Sequence, residues 1–336
     1  MKKIFLVLCL GMIGFSRISL AAGETGEAIT KVKQNAEKIE SETSVDKAEE
    51  AKEEKEEKKK SKLSNPFKKK KVEWELVWRD EFDGNKLDTS KWSYWENGNP
   101  WNSGNYLDEN GDLVDQYGFK VKQYYLRDNV KLENGYLVIT VKKEDNKTVK
   151  IDGKDRKILY SSGAVHTKDK FTVHEGKIEM RATMPEGIGT WPAFWTWPDG
   201  YSQSLNTPAK EEIDIFEIYG DNLQKVTGTA HALKADKTYA SFVGNDLKIK
   251  KNEDLRKFNT YAVEWDDKEI KWLFNGRIYK RLSIKKVGKF SENTFKLPHF
   301  LMINVALQNK TGEDGNIKFP TEMKVDYVRV YQKKSN

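Results

Sequence analysis

Cysteine is almost absent. Cys9 is the only one in 336 residues, and it lies in the apolar run Ile4 to Gly14. That run follows Lys2-Lys3 and precedes Ser19-Leu20-Ala21, the pattern of a secretory signal over residues 1–22 with cleavage near Ala21 or Ala22. The run is too short and interrupted to span a membrane, and Cys9 comes too early to be a lipoprotein cleavage cysteine. A chain that loses this segment has no disulfide, free thiol or thiolate metal site. The expected location is therefore secreted, periplasmic or in the cell envelope, with stability drawn from the fold itself. Also missing are a G-x-G-x-x-G after a strand, a G-x-x-x-x-G-K-[ST] loop and any repeat of fixed period, which removes nucleotide chemistry and solenoid architectures.

Residues 23–71 are nearly all Glu, Lys, Ala and Ser, and opposite charges dominate Ala48 to Lys62. Such a segment cannot bury a core. It reads as a charged low-complexity linker, either a disordered tether or an exposed, partly helical rod braced by Glu–Lys pairs. Lys68 to Lys71 end it as a basic patch suited to a solvated linker end or to an anionic envelope polymer. The net charge of +7 and pI near 9.0 suit an acidic partner. Nucleic acid is not expected, because the aromatic residues lie away from the basic ones.

Residues 72–333 alternate short apolar runs with Gly, Asn and Asp turns. Tyr136 to Val141 and Ile270 to Phe274 are such runs, and Asn134-Gly135 and Asn275-Gly276 are hairpin turns of the Asn-Gly kind. Their repetition predicts an all-β sandwich, and the length is ample for one core.

Within it, Glu212-Ile-Asp214-Ile-Phe-Glu217 places three carboxylates among apolar strand formers, with Tyr219-Gly220 as the turn that ends the strand. Alternation puts Glu212 and Asp214 on one face and Ile213 and Ile215 on the other. Glu217 would fall on the apolar face unless a β-bulge around Ile215-Phe216 inserts one residue and returns it to the acidic side. The end carboxylates then sit about four strand steps, roughly 13 Å, apart at Cα. Side chains leaning together close that to the ~5–5.5 Å separation of a nucleophile and an acid/base in a retaining glycosidase. Asp214 between them can decide which one stays ionised, since like charges this close do not all titrate normally. Taken alone, the pattern also suits an edge strand with a solvated acidic face, or a calcium site made of the same carboxylates.

Upstream lies Gly187-Ile-Gly-Thr-Trp191-Pro-Ala-Phe-Trp195-Thr-Trp197-Pro198. Positions 191, 195 and 197 share one face of an extended segment, where indoles can stack on the apolar face of a sugar or fill a core. The prolines confine irregularity to the segment's ends or to an edge.

Gly-x-Gly-x-Trp-Pro-Ala-Phe-Trp followed by Glu-Ile-Asp-Ile-Phe-Glu resembles the laminarinase-type branch of glycoside hydrolase family 16, which keeps the bulged acidic motif. Trp78 to Gly84, Leu87-Asp88, Lys91-Trp92, Gln123-Tyr-Tyr125, Asn129-Val130, Ser162-Gly-Ala164, Gly176 to Ala182 and Val325 to Tyr331 follow the family's order. The resemblance implies a concanavalin A-like β-jelly-roll with a cleft across its concave sheet. It further implies retaining, endo-acting hydrolysis of β-glycosidic bonds, with no cofactor in the chemistry and the protein acting as a monomer. Glu212 matches the nucleophile, Asp214 the assisting carboxylate and Glu217 the acid/base. Trp191, Trp195 and His231 match substrate-binding positions. Glu81, Gly135 and Asp326 match positions of a structural calcium ion on the convex side. The leading substrate is β-1,3- or mixed-linked β-glucan. The alternative is a galactose-containing glycan, either mucin-type or a sulfated algal galactan; of another class is a non-catalytic carbohydrate-binding protein. One loop departs from the pattern: Gln308-Asn-Lys-Thr-Gly312 stands where the family's laminarinases carry Gly-Gly-Asn-Trp-Pro. That loop borders the cleft, so the change bears on the glycan and not on the catalytic motif. The polar segment Asp199 to Lys210 is also longer than in many relatives.

Overall fold

A computed structural model describes residues 72–95, 105–107, 113–115, 121–151, 153–202, 207–208, 211–233, 239–287, 295–308, 311 and 317–334. The expected signal segment 1–22 and charged linker 23–71 lie outside the described residues, as do much of 199–210 and residues 309, 310 and 312.

The strands assemble into a ten-stranded and an eight-stranded sheet. From edge to edge the larger runs Arg277–Ser283, Glu269–Phe274, Asn259–Trp265, Gly176–Thr183, Thr321–Lys333, Tyr136–Lys143, Tyr160–Ser162 and Gln123–Tyr125. Thr321–Lys333 is its spine. One edge pairs with Gly176–Thr183, while the other pairs with Tyr136–Lys143 at its start and Trp74–Asp80 at its end. The smaller sheet runs Tyr239–Ser241, Lys225–Leu233, Glu212–Glu217, Thr190–Pro198, His299–Leu307, Ala164–His166 and Ser93–Tyr94. Both hairpins expected from Asn-Gly form: Asn134 and Gly135 have φ of +53° and +77°, and Asn275 and Gly276 have +47° and +73°. Two successive positive φ values match the right-handed twist of the flanking strands, and Asn and Gly tolerate them best.

The core lies between the sheets and follows from period-2 alternation. In Gly176–Thr183 every second residue is buried, with Ile178, Met180 and Ala182 inward and Lys177, Glu179 and Arg181 outward. Ile139, Val325, Val328 and Val330 join them from neighbouring strands, facing Phe194, Ile213, Phe216 and Ile303 of the smaller sheet. The result is the expected all-β jelly-roll sandwich. Among the described residues no helix is long and apolar enough to cross a membrane.

Candidate active site

Glu212–Glu217 lies inside the smaller sheet, between Thr190–Pro198 and Lys225–Leu233. Asp214 pairs with Thr229 and Glu217 with Thr227, so three steps on one strand match two on the other. The Thr190–Pro198 side breaks at the same place: Trp195 pairs with Asp214 and Phe194 with Phe216. The extra residue is the bulge the acidic spacing demanded. Ile213, Ile215, Phe216 and Ile218 all enter the core, and Glu212, Asp214 and Glu217 share the opposite face. The turn after the strand is held tightly: the Gly220 amide donates to the Thr190 carbonyl at 2.8 Å, and a Cβ at Gly220 would collide with the Thr190 hydroxyl.

Two side chains from neighbouring strands complete the acidic row. His231 stands opposite Glu212. Its Nε2 is 3.1 Å from Asp214 Oδ2, and its Nδ1 is 2.8 Å from Ser241 Oγ. Trp191 Nε1 donates to Glu217 Oε1 at 3.1 Å, and its ring stacks on Tyr219 at 5.6 Å. Asp214 is buried and shares a hydrogen bond with Glu212. Donor atoms of Glu212, Asp214 and His231 lie within 4.8 Å of one another, close enough for a cation, though the hydrogen bonds among them account for the grouping without one.

Burial, and then the nearby Glu217, push the Asp214 carboxyl well above its ordinary range, while the bond to Glu212 and the charge of Lys280 oppose this. Burial also raises Glu217, against His231 and the Trp191 N–H, both of which favour its anion. Desolvation penalises the charged form of a carboxyl, and a nearby like charge adds to that penalty. Both carboxyls therefore favour the protonated form more than an exposed carboxyl does. That is what a general acid requires.

Trp195 and Trp197 sit on one face as the spacing predicted, with their rings in contact, and Trp195 pairs with Asp214. Trp195, however, is only 6% exposed. Its Nε1 donates to Asn304 Oδ1 at 2.8 Å, whose amide donates to the Tyr125 hydroxyl at 3.0 Å, and Trp95 packs beside both rings. Trp195 is thus the centre of an aromatic floor, and Trp191 is the better exposed of the two expected platforms. Asn304 and Trp95 were not singled out from the sequence, and Tyr125 only as part of the Gln123-Tyr-Tyr125 segment, since strands far apart in the chain bring the three together.

The expected calcium positions meet a different outcome. The register places Glu81, Gly135 and Asp326 near the point where Thr321–Lys333 passes from one partner strand to the other. Arg329 donates to both Glu81 oxygens at 2.9 and 2.8 Å, and Arg181 pairs with Asp326 at 2.5 Å. Gly135 serves its hairpin turn. Both carboxylates are already neutralised by guanidinium groups, so these residues form two ion pairs and do not fit a calcium cradle.

The profile of the glycosyl hydrolases family 16 matches residues 119–329. A β-glucanase of Rhodothermus marinus is 31% identical over 275 residues, 78% of this chain and 87% of that protein. A keratan-sulfate endo-1,4-β-galactosidase of Sphingobacterium multivorum is 26% identical over 266 residues, 78% of this chain and 56% of the other. The chain thus spans most of the first relative and about half of the second. The laminarinase catalytic domain of Thermotoga maritima superposes with a TM-score of 0.63 at 32% identity, covering 79% of this chain and all of that domain. With the bulged acidic strand and its aromatic floor, these likenesses place the chain among the glycosyl hydrolases of family 16, endo-acting enzymes that cleave O-glycosyl bonds.

Proposed function

We propose that the protein cleaves internal β-glycosidic bonds with retention, using Glu212 as nucleophile, Glu217 as acid/base and Asp214 as the group that keeps Glu212 ionised. The observation that carries this reading is the bulge at Ile215, which puts the end carboxylates on one face with Asp214 between them. Asp214 is hydrogen-bonded to Glu212 and lies 3.1 Å from His231 Nε2, the place from which it can set which neighbouring carboxyl stays ionised. Glu212 attacks the anomeric carbon as Glu217 protonates the departing oxygen; Glu217, now ionised, then draws a proton from water, which displaces Glu212 and restores the sugar's configuration. Trp191 contributes twice, as a face for a sugar ring and as the donor that orients the Glu217 carboxyl.

The substrate we assign first is β-1,3- or mixed-linked β-glucan, supported by the β-glucanase and laminarinase likenesses. A galactose-containing glycan is the second reading. It is favoured by the galactosidase relative and by the cleft-border loop Gln308 to Gly312, which lacks the family's Trp. Export through the signal at residues 1–22 and action as a monomer complete the proposal.

The test is reducing-sugar release from laminarin, lichenan, mucin O-glycans, keratan sulfate, agarose and κ-carrageenan, with Glu212→Ser alongside. Activity on one polymer that disappears in the variant supports both the nucleophile and the glycan class. Unchanged activity in Glu212→Ser would sink the assignment.

A further inference from the structure

Behind the catalytic strand, on its core side, stand two polar side chains that none of the chemistry above uses. Trp272 is fully buried on Glu269–Phe274, in the opposite sheet. Its Nε1 crosses the core and donates to the Asp214 carbonyl at 2.7 Å. That carbonyl belongs to the last residue in register before the bulge on both neighbouring strands. Lys280 is the cross-strand partner of Trp272 and is 5% exposed. Its Nζ lies 4.9 Å over the Trp272 ring and donates to the carbonyls of Gly228 at 2.5 Å and Phe242 at 2.7 Å. Gly228 is the residue opposite the bulge, between Thr227 and Thr229. A Cβ there would collide with the Trp272 ring, so its missing side chain makes room for the indole.

A buried ammonium and a buried indole N–H are costly unless bonded. Both bond here to backbone carbonyls of the strands that form the active site. Glu212 precedes the break and is held by its paired neighbour His231. Glu217 follows it, and its place depends on the bulge staying as drawn. We propose that Trp272 and Lys280 are positioning residues, a cross-strand brace that holds the bulge and thereby sets Glu217, rather than Glu212, in its place for proton transfer. This rests on the reading of Glu217 as acid/base.

The experiment compares Trp272→Phe with the wild-type protein on two substrates: the polymer found by the panel, and a 2,4-dinitrophenyl glycoside of the same sugars. The aryl leaving group departs without a proton, so kcat/KM for it depends on Glu212 and not on acid catalysis. The expected result is a tenfold or greater loss of kcat/KM on the polymer with less than threefold loss on the aryl glycoside. Lys280→Met should follow the same pattern at smaller amplitude. Equal losses on both substrates, or no loss on either, would overturn the brace, since a fall in folded fraction lowers both alike. Should Trp272→Phe fail to fold, 3-benzothienylalanine at position 272 keeps the ring shape and removes only the N–H. Hydrogen exchange across Ile213–Ile218 provides a readout independent of activity: it should quicken in either Trp272 variant while Asn259–Trp265 stays protected. Unchanged exchange in the bulge overturns the brace; the acid/base reading is tested separately and fails if Glu217→Gln loses no more activity on the polymer than on the aryl glycoside.

Discussion

The outer face of the ten-stranded sheet and the outer face of the eight-stranded sheet both carry carboxylates, yet their acids behave in opposite ways. On the outer face Glu81 meets Arg329, Asp326 meets Arg181, Glu179 meets Lys177, and Glu269 meets both Arg281 and Lys271. The hydrogen bond from Arg329 holds Glu81 below its usual range. Glu269 is held low by Arg281 and Lys271 against a burial cost. On the outer face of the smaller sheet Glu212, Asp214 and Glu217 have one another, His231, the Trp191 N–H and, from the core side, the charge of Lys280, and burial raises Asp214 and Glu217. The same residue type is thus an ion-pair partner held low on one face and a carboxyl raised by burial on the other. What differs first is desolvation, which outweighs the charges of His231 and Lys280 at the acidic row.

The contrast can be broken most severely at Glu217. Glu217→Gln keeps the shape and removes the titration, so hydrolysis of an unactivated glycan should fall by about 10²–10⁴-fold, the range for loss of general acid–base catalysis. The same variant should melt at a higher temperature than the wild-type protein at pH 8. A carboxyl whose folded pKa is raised destabilises the fold once pH exceeds that pKa, because the charge must then be kept in a desolvated place. The advantage should shrink as pH falls through the raised pKa and the wild-type side chain becomes neutral. Melting curves across pH 4 to 8 check the sign; an advantage that grows in acid contradicts the burial argument.

Trp191→Phe sharpens the comparison with a smaller effect. Its N–H favours the Glu217 anion, so removing it should raise the Glu217 pKa further and move the alkaline limb of kcat/KM to higher pH. A limb that moves down would show that the bond favours the neutral acid. The smallest effect belongs to the outer face. Glu81→Gln breaks a half-exposed pair with Arg329, for which about 1 kcal/mol or less of stability is expected, with activity unchanged. A larger loss by denaturant titration would mean that this corner does more than pair charges.

Much of this was legible beforehand. Strand alternation with an odd spacing between Asp214 and Glu217 required the bulge, because an acid on the core face would have had no partner. The Asn-Gly pairs marked two hairpins, and the Trp spacing put positions 191, 195 and 197 on one face. At the expected calcium positions, matching residue types says nothing of what stands opposite: Arg329 and Arg181 come from paired strands and pair with both carboxylates. Trp195 was matched to a substrate-binding position on a face that could also fill a core, and its depth was set by its bond to Asn304 and its packing against Trp95.

The sequence alone determined the identity and order of the reactive groups and the side of the strand each occupies, since a period of two along one strand is a local property. Only the tertiary structure decided their protonation, their exposure and their support from behind. Those depend on desolvation and on hydrogen bonds from residues such as His231, Trp272 and Lys280, which meet the acidic strand only when the sheets have paired and packed.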